Sequence, residues 1–386
     1  MPDPRDVLAK AEARRLKAHQ ATIALQQDPF TKTHTLVRRI GEGVEGWCDL
    51  WRNRKTGECV VTKTIIGKTL KSLVKGLPNE LYMFQNIPHS PAQVKYLGSA
   101  VGVCDSRSPV VRMQFEYCNA GSLDDCKNRL NIARVRVPQS LALNVLIQLL
   151  QWLEFAATGA GVNKRGFRRF FHHDLHPGNI LVHSKGGSLA ESLPQMKIAD
   201  LGNAGFHDEQ PQKTSYHLNY DIYYVGAAIA ALIHHDKDAS RWKNEPVKYS
   251  YHNDLAHPRH KDLLAVSFRK VEQNKFYDPE FLAIILDIAR YDYKASFDDG
   301  VRFVQVKLHK AQKMLALRNL HAPTSLETEW AQVKHLVAPA ANAVDCPYRK
   351  TLDVHLSLMM SMDVALEAVQ EQRVAHAALK RMLLYD

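Results

Sequence analysis

The sequence predicts an α+β protein of two unequal lobes: a small antiparallel sheet carrying one helix, then a larger, mostly helical part, with helical extensions at both ends. Short β-type runs between Thr35 and Tyr117, joined by turn signals, give the first lobe, and helical patterning after Ala120 gives the second. A chain of 386 residues, 45% hydrophobic and 24% charged, has the length for two or three domain-sized units or one large two-lobed domain. The boundaries read as 1–34 for the N-terminal extension, 35–118 for the small lobe, 119–318 for the large lobe and 319–386 for the C-terminal extension.

Residues Asp6 to Gln27 are rich in Ala, Leu, Lys and Gln without Gly or Pro, the composition of a leading helix. THTLVRRIG, WCDLWRN and ECVVTKTII follow as strands, separated by Gly-rich and KTG turns. A helix is expected around Pro78 to Gln85, then strands near Val94 to Gly98 and Val110 to Tyr117. Pro138 to Ala156 reads as an amphipathic to fully apolar helix, and ILVH and MKIAD as short strands. Further helices are expected at Ile222 to His234, Pro279 to Arg290 and Gly300 to Leu317. In the tail, Glu327 to Val337 and Leu352 to Leu384 also read as helical, and the terminal helices offer surfaces for packing on the lobes or for a partner.

The apolar run Val225 to Ile233 is too short to cross a bilayer, and the charged N-terminus lacks the apolar core of a secretory signal, so no membrane insertion is expected. Six scattered cysteines, Cys48, Cys59, Cys104, Cys118, Cys126 and Cys346, form no CxxC pair. They favour a reducing, intracellular location, taken as cytoplasmic with the nucleus left open, and give no sign of a zinc site. The net charge is +11, and between Lys127 and Arg169 eight basic residues face the single acid Glu154. This excess is read as solvated helix surface, and no nucleic-acid partner is expected.

One stretch concentrates chemistry: FHHDLHPGNILV, Phe171 to Val182. A metal site, a catalytic loop and an incidental polar turn all compete for it. Adjacent histidines point in different directions and no HExxH or cysteine partner accompanies them, which disfavours metal. Elsewhere GEGVEG supplies Gly41, Gly43 and Gly46; Lys63 follows the first of these by 22 residues in the run VVTK, and Glu80 comes 17 later. Asp174 and Asn179 are five apart, and Asp200 lies 26 beyond Asp174 in KIADLGNA. Each element is weak alone, and their order and spacing together are not.

In that order they resemble the signature of the eukaryotic-type protein kinase superfamily over about Val37 to Leu308. The resemblance implies the two-lobed kinase-like fold, with ATP and Mg²⁺ as cofactors. It implies a nucleotide-binding set of Gly41, Gly43, Gly46, Cys48, Lys63, Glu116 and Cys118, with the glycines small so that backbone N–H groups can approach the phosphates. Lys63 would neutralise phosphate charge, Glu80 would hold Lys63, Asn179 and Asp200 would ligate Mg²⁺, and Asp174 would orient the acceptor hydroxyl. In QFEYCNAGSL, Phe115 falls at the gatekeeper position and the backbone at Glu116 and Cys118 faces the adenine edge. Asp221 in YDIYYVGAAIA would support the catalytic loop by accepting backbone donors near His172. Cys48, in the roof over adenine, is either a small apolar substitute or a reactive thiol.

Some positions depart from the resemblance. His173 stands where Arg is common before the catalytic Asp, and His176 where Lys is usual. Only 21 residues separate Asp200 from Asp221, no Ala-Pro-Glu element is recognisable there, and ARYDYKASFDDG offers no arginine to pair with one. HxDLHPGN is also similar to the aminoglycoside and choline phosphotransferase branch. The activity implied is therefore Mg·ATP-dependent phosphotransfer, to a protein serine or threonine on the first reading. A small hydroxylated molecule is the alternative acceptor, and a nucleotide-binding pseudokinase scaffold the alternative role.

Overall fold

The computed structural model describes residues 28–42, 46–66, 73–74, 77–103, 109–162, 165–183, 194–209, 214–233, 271, 274–291, 295–321 and 333. The expected helices at Asp6 to Gln27, Glu327 to Val337 (Val333 apart) and Leu352 to Leu384 lie outside these, as does Gly43.

Five strands build the small lobe: β1 (His34–Glu42), β2 (Gly46–Asn53), β3 (Cys59–Ile66), β4 (Tyr96–Val103) and β5 (Pro109–Glu116). They form one antiparallel sheet in the order β1-β2-β3-β5-β4. β1 is an exposed edge, whereas β3 and β5 sit inside the sheet, and Lys63 is paired with Cys48 on one side and Met113 on the other. Helix α1 (Asn79–Asn86) packs beneath them with Leu81, Tyr82, Met83 and Phe84 buried. Expected near Val94 to Gly98, β4 begins and ends later, because Val94 and Gln93 instead reach across to the large lobe.

In the large lobe, α2 (Leu123–Ile132) starts with a reciprocal cap between Ser122 and Asp125. Helix α3 (Gln139–Thr158) begins after Pro138 and stops at Gly159, whose left-handed φ of 72° lets its N–H close on the Phe155 carbonyl at 2.8 Å. Among the described residues this helix, not Val225 to Ile233, is the one long and apolar enough to cross a membrane. It is instead the buried axis of the lobe, packed against α4 (Thr214–Ile233) and α6 (Phe297–His321), with α5 (Pro279–Ala289) against α4. Each fully buried aliphatic on it contributes about 1.5–3 kcal/mol. Helix α4 starts eight residues before the expected Ile222, since its polar residues His217, Asn219 and Asp221 are buried and break the apolar pattern.

Two antiparallel ribbons position the site. β6 (Phe170–Phe171) pairs with β9 (Gly205–Phe206), and β7 (Ile180–His183) with β8 (Gln195–Ile198). Val94 N–H donates to the Ile198 carbonyl at 2.9 Å and Ile198 N–H to Ala92 at 2.8 Å, which ties the small lobe to β8. One continuous apolar core runs from Ile65 and α1 through α3 to α6.

Candidate active site

Lys63 Nζ lies 2.6 Å from Glu80 Oε2 and 2.9 Å from Asp200 Oδ1. Burial alone would lower the lysine's pKa, but the two carboxylates outweigh it and raise the ammonium well above its ordinary value. Burial likewise works to raise Asp200, and Lys63 overcomes it, holding the carboxyl below its usual range. Lys63 and Asp200 are therefore ionised at neutral pH. Glu80 opens a helix that has no side-chain N-cap; instead Asn79 Nδ2 donates to the Gly202 and Ala204 carbonyls at 2.9 and 2.8 Å.

Asp174 sits on a loop built around two buried groups. The Asp221 carboxylate accepts the N–H of His172 at 2.7 Å and of His173 at 2.8 Å, as the sequence implied, and burial pushes its carboxyl up to about 7 against those bonds. His172, fully buried, bonds through Nε2 to the Ala199 carbonyl at 2.9 Å and receives the Asp174 N–H on Nδ1 at 3.1 Å. Those partners fix the neutral tautomer, and burial lowers its pKa in the same sense. The imidazole thereby joins the Asp174 loop to the residue before Asp200. His173 and Asp200 both take left-handed backbone, φ 64° and 61°, which costs a non-glycine residue about 1–2 kcal/mol each.

Asn179 Nδ2 donates to the Asp174 carbonyl at 2.9 Å and carboxylate at 3.3 Å, leaving the amide Oδ1 as the atom able to ligate. With Asp200, whose side chain is 43% exposed, it offers two hard oxygen donors. Among the described residues no cluster of three or more His, Cys, Asp or Glu could hold an ion. A partial oxygen set of this kind suits Mg²⁺, which keeps waters and takes phosphate oxygens for the rest of its shell.

A Cβ on Gly46 would lie 1.8 Å from the Thr64 carbonyl oxygen, so its smallness is demanded by the sheet itself, not by phosphates alone. A Cβ on Gly41 would make only an ordinary 3.8 Å contact with Cys48. Burial pushes the Cys48 thiol up to about 12, which favours the small apolar reading over the reactive one. At the hinge Phe115 is buried against Phe84 and Tyr96. The Glu116 N–H goes to Lys95 at 3.0 Å and its carboxylate to Lys197 at 2.9 Å; Cys118 is buried, its thiol also pushed up to about 12 by burial.

Sequence reasoning passed over Asn203, whose Nδ2 lies 3.3 Å from the Asp174 carboxylate. The only signal was its place in DLGNA, three after Asp200. It also missed His217, which bonds His173 ring to ring and stacks on Phe171. His176 accepts the Gly178 N–H on Nδ1, and its Nε2 stands 3.9 Å from Asp174 Oδ1. Of the basic run, Arg129 holds the Ala120 carbonyl at 2.6 Å, and Arg136 and Arg169 lie over Phe276 and Phe297.

The family profile described as Protein kinase domain matches residues 34–239, more than half of the chain. The chain belongs to the protein kinase family. This kinase-family chain is also 29% identical over 169 residues to "MAP kinase kinase skh1/pek1" of Schizosaccharomyces pombe. That match covers 44% of this chain and 41% of the relative, so the chain spans about two fifths of that protein's length. The five-stranded antiparallel sheet and the helical second lobe are the two-lobed kinase fold.

Proposed function

We propose that the chain is an Mg·ATP-dependent protein kinase that transfers the γ-phosphate to a serine or threonine hydroxyl of a protein. The observation that carries this reading is the meeting of two groups distant in sequence. Lys63 is within ion-pair distance of Glu80 and Asp200, and Asp174 with Asn179 is tied through His172 to Ala199, the residue before Asp200.

Phosphoryl transfer asks the protein for positioning and charge neutralisation more than for covalent chemistry. Lys63, held ionised by Glu80, is the cation for the nucleotide phosphates. Asn179 and Asp200 are the residues that would hold Mg²⁺, which when bound neutralises phosphate charge. Asp174, its carboxylate oriented by Asn179 and Asn203, receives or orients the acceptor hydroxyl proton. Gly41, Gly46 and Cys48, with the hinge backbone at Glu116 and Cys118, are the proposed nucleotide-binding residues, and the sequence pattern adds Gly43 to them.

The short acceptor-side segment favours a second reading, a small-molecule kinase. Only residues 210–213 separate the 3₁₀ turn His207–Glu209 from α4, which leaves little chain for docking a peptide. Transfer of labelled γ-phosphate from Mg·ATP, by the protein and by its Asp174→Asn form, into a protein mixture and a pool of small hydroxyl compounds separates the readings. Label in protein that vanishes in the variant supports the protein kinase. Label only in small molecules supports the second, and nucleotide binding with no transfer would leave a pseudokinase.

A further inference from the structure

Around helix α1 a charged cluster lies outside the groups assigned above. Arg168 precedes β6, and Asp208 and Glu209 follow β9; because Phe170 pairs with Phe206 and the His207 N–H bonds the Arg169 carbonyl at 3.0 Å, the ribbon sets these side chains opposite one another. The guanidinium grips Asp208 with both arms, Nε to Oδ2 at 2.8 Å and a terminal nitrogen to Oδ1 at 2.7 Å, and reaches Glu209 Oε1 at 2.9 Å. That same Glu209 oxygen accepts the Tyr82 hydroxyl at 3.0 Å, and Arg168 also approaches the Tyr82 hydroxyl at 3.3 Å. The guanidinium lies 3.8 Å over the Phe206 ring, which Tyr82 meets edge-on.

Tyr82 is two residues from Glu80 on the same helix. With only eight residues and no side-chain N-cap, α1 is too short to hold itself; its place is set by what grips it. On the large-lobe side Asn79 grips the Gly202 and Ala204 carbonyls, and Tyr82 grips the Arg168–Glu209 pair.

We infer that Arg168, Asp208, Glu209 and Tyr82 form a fixed-charge strut that positions α1 so that Glu80 stays on Lys63. The negative charge is written into the chain as two carboxylates, so the strut needs neither an added phosphate nor a partner. An isolated exposed ion pair contributes little, but a forked arginine shared between two carboxylates and stacked on a ring is the favourable case. Its members are 30%, 59% and 40% exposed for Arg168, Asp208 and Glu209, so salt weakens it. The consequence for catalysis rests on the phosphotransferase reading given above; the placement of α1 does not.

The test is amide hydrogen exchange on the full chain, comparing it with Arg168→Met and with the milder Tyr82→Phe, alongside steady-state kinetics. Both variants should speed exchange across residues 79–86 by about fivefold while strands β2, β3 and β5 are unchanged, and 0.5 M salt should do the same to the unaltered protein but not to Arg168→Met. In kinetics, kcat should fall by about fivefold or more with KM for Mg·ATP within about twofold, and Arg168→Met should add little to Glu80→Gln. Unchanged exchange in α1 overturns the inference, as does loosening of the whole small lobe together, or an α1 that loosens while kcat holds. If the unaltered protein transfers no phosphate, the functional reading fails separately and exchange alone decides the strut: selective loosening of α1 upholds it and none overturns it.

Discussion

Replacing Lys63 with methionine takes the ammonium away from a buried Glu80. The lysine is 17% exposed, Glu80 3% and Asp200 43%, so loss of the ammonium leaves Asp200 able to turn to water while Glu80 keeps a carboxylate inside the protein. Breaking a buried pair from one side costs about 3–5 kcal/mol, a large share of the roughly 5–15 kcal/mol that holds a domain folded. Removing both charges removes the penalty, because a neutral, well-packed pair is often as stable as the ions it replaces. Urea unfolding at pH 7.5, followed by tryptophan emission, should therefore show Lys63→Met destabilised by about 3–5 kcal/mol and Lys63→Met/Glu80→Gln recovering most of it. Transfer activity should be lost in both. The penalty in the single variant should shrink as pH falls, since protonation lets the buried carboxylate shed its charge. A single variant within about 1 kcal/mol of the parent, or a double variant less stable than the single, would refute the reasoning.

Asp221→Asn offers one oxygen and an NH₂ group to two backbone donors, so it should cost about 2–3 kcal/mol in urea unfolding and lower kcat by disordering the Asp174 loop; unchanged values in both would count against the loop support. Burial, with His217 and Arg169 adding to it and Asp208 opposing, pushes the His207 imidazole from 6.5 down to about 4. The unfolded chain takes up this proton first as pH falls, so the contribution of neutral His207 is intact above about pH 6.5 and is lost toward pH 4, about 2 kcal/mol by pH 5. His207→Phe should flatten that part of the pH–stability curve, and parallel curves for the two proteins would sink the assignment. Raised from 9.0 to about 12, Cys48 should be alkylated about a thousandfold more slowly than an unperturbed thiol at pH 8, read by peptide mass spectrometry; a rate near the unperturbed one would restore the reactive reading.

Where a local signal controls an element, the sequence placed it: the helix read from Pro138 to Ala156 is α3, Gln139–Thr158. The Ser122–Asp125 cap that starts α2 is equally local and went unread. Where a tertiary partner overrides the local pattern, the reading slipped: α4 carries buried polar residues that disguise its first turns, and β4 contains Gly98 and Gly102 with an exposed Leu97 and Val101, so no alternation marks its ends. The candidate site divides the same way. Lys63, Glu80, Asp174, Asn179 and Asp200 were legible because their spacing is a pattern, and the structure brings all five together. Asn203, His217 and Arg168 were not. Each meets a partner 29 to 86 residues away, and apart from Asn203's place in DLGNA nothing in the neighbouring sequence announces it.

The close approach of Gly46 to the Thr64 carbonyl changes how the glycine loop can be interrogated. Alanine at this position would force apart the two strands that carry Cys48 and Lys63, so a lost activity there would report a damaged scaffold rather than a weakened grip on nucleotide. Gly41, with room for a methyl group, is the position at which substitution speaks about the ligand. Two glycines five residues apart, one in β1 and one in β2, thus answer different questions, one about assembly and one about affinity.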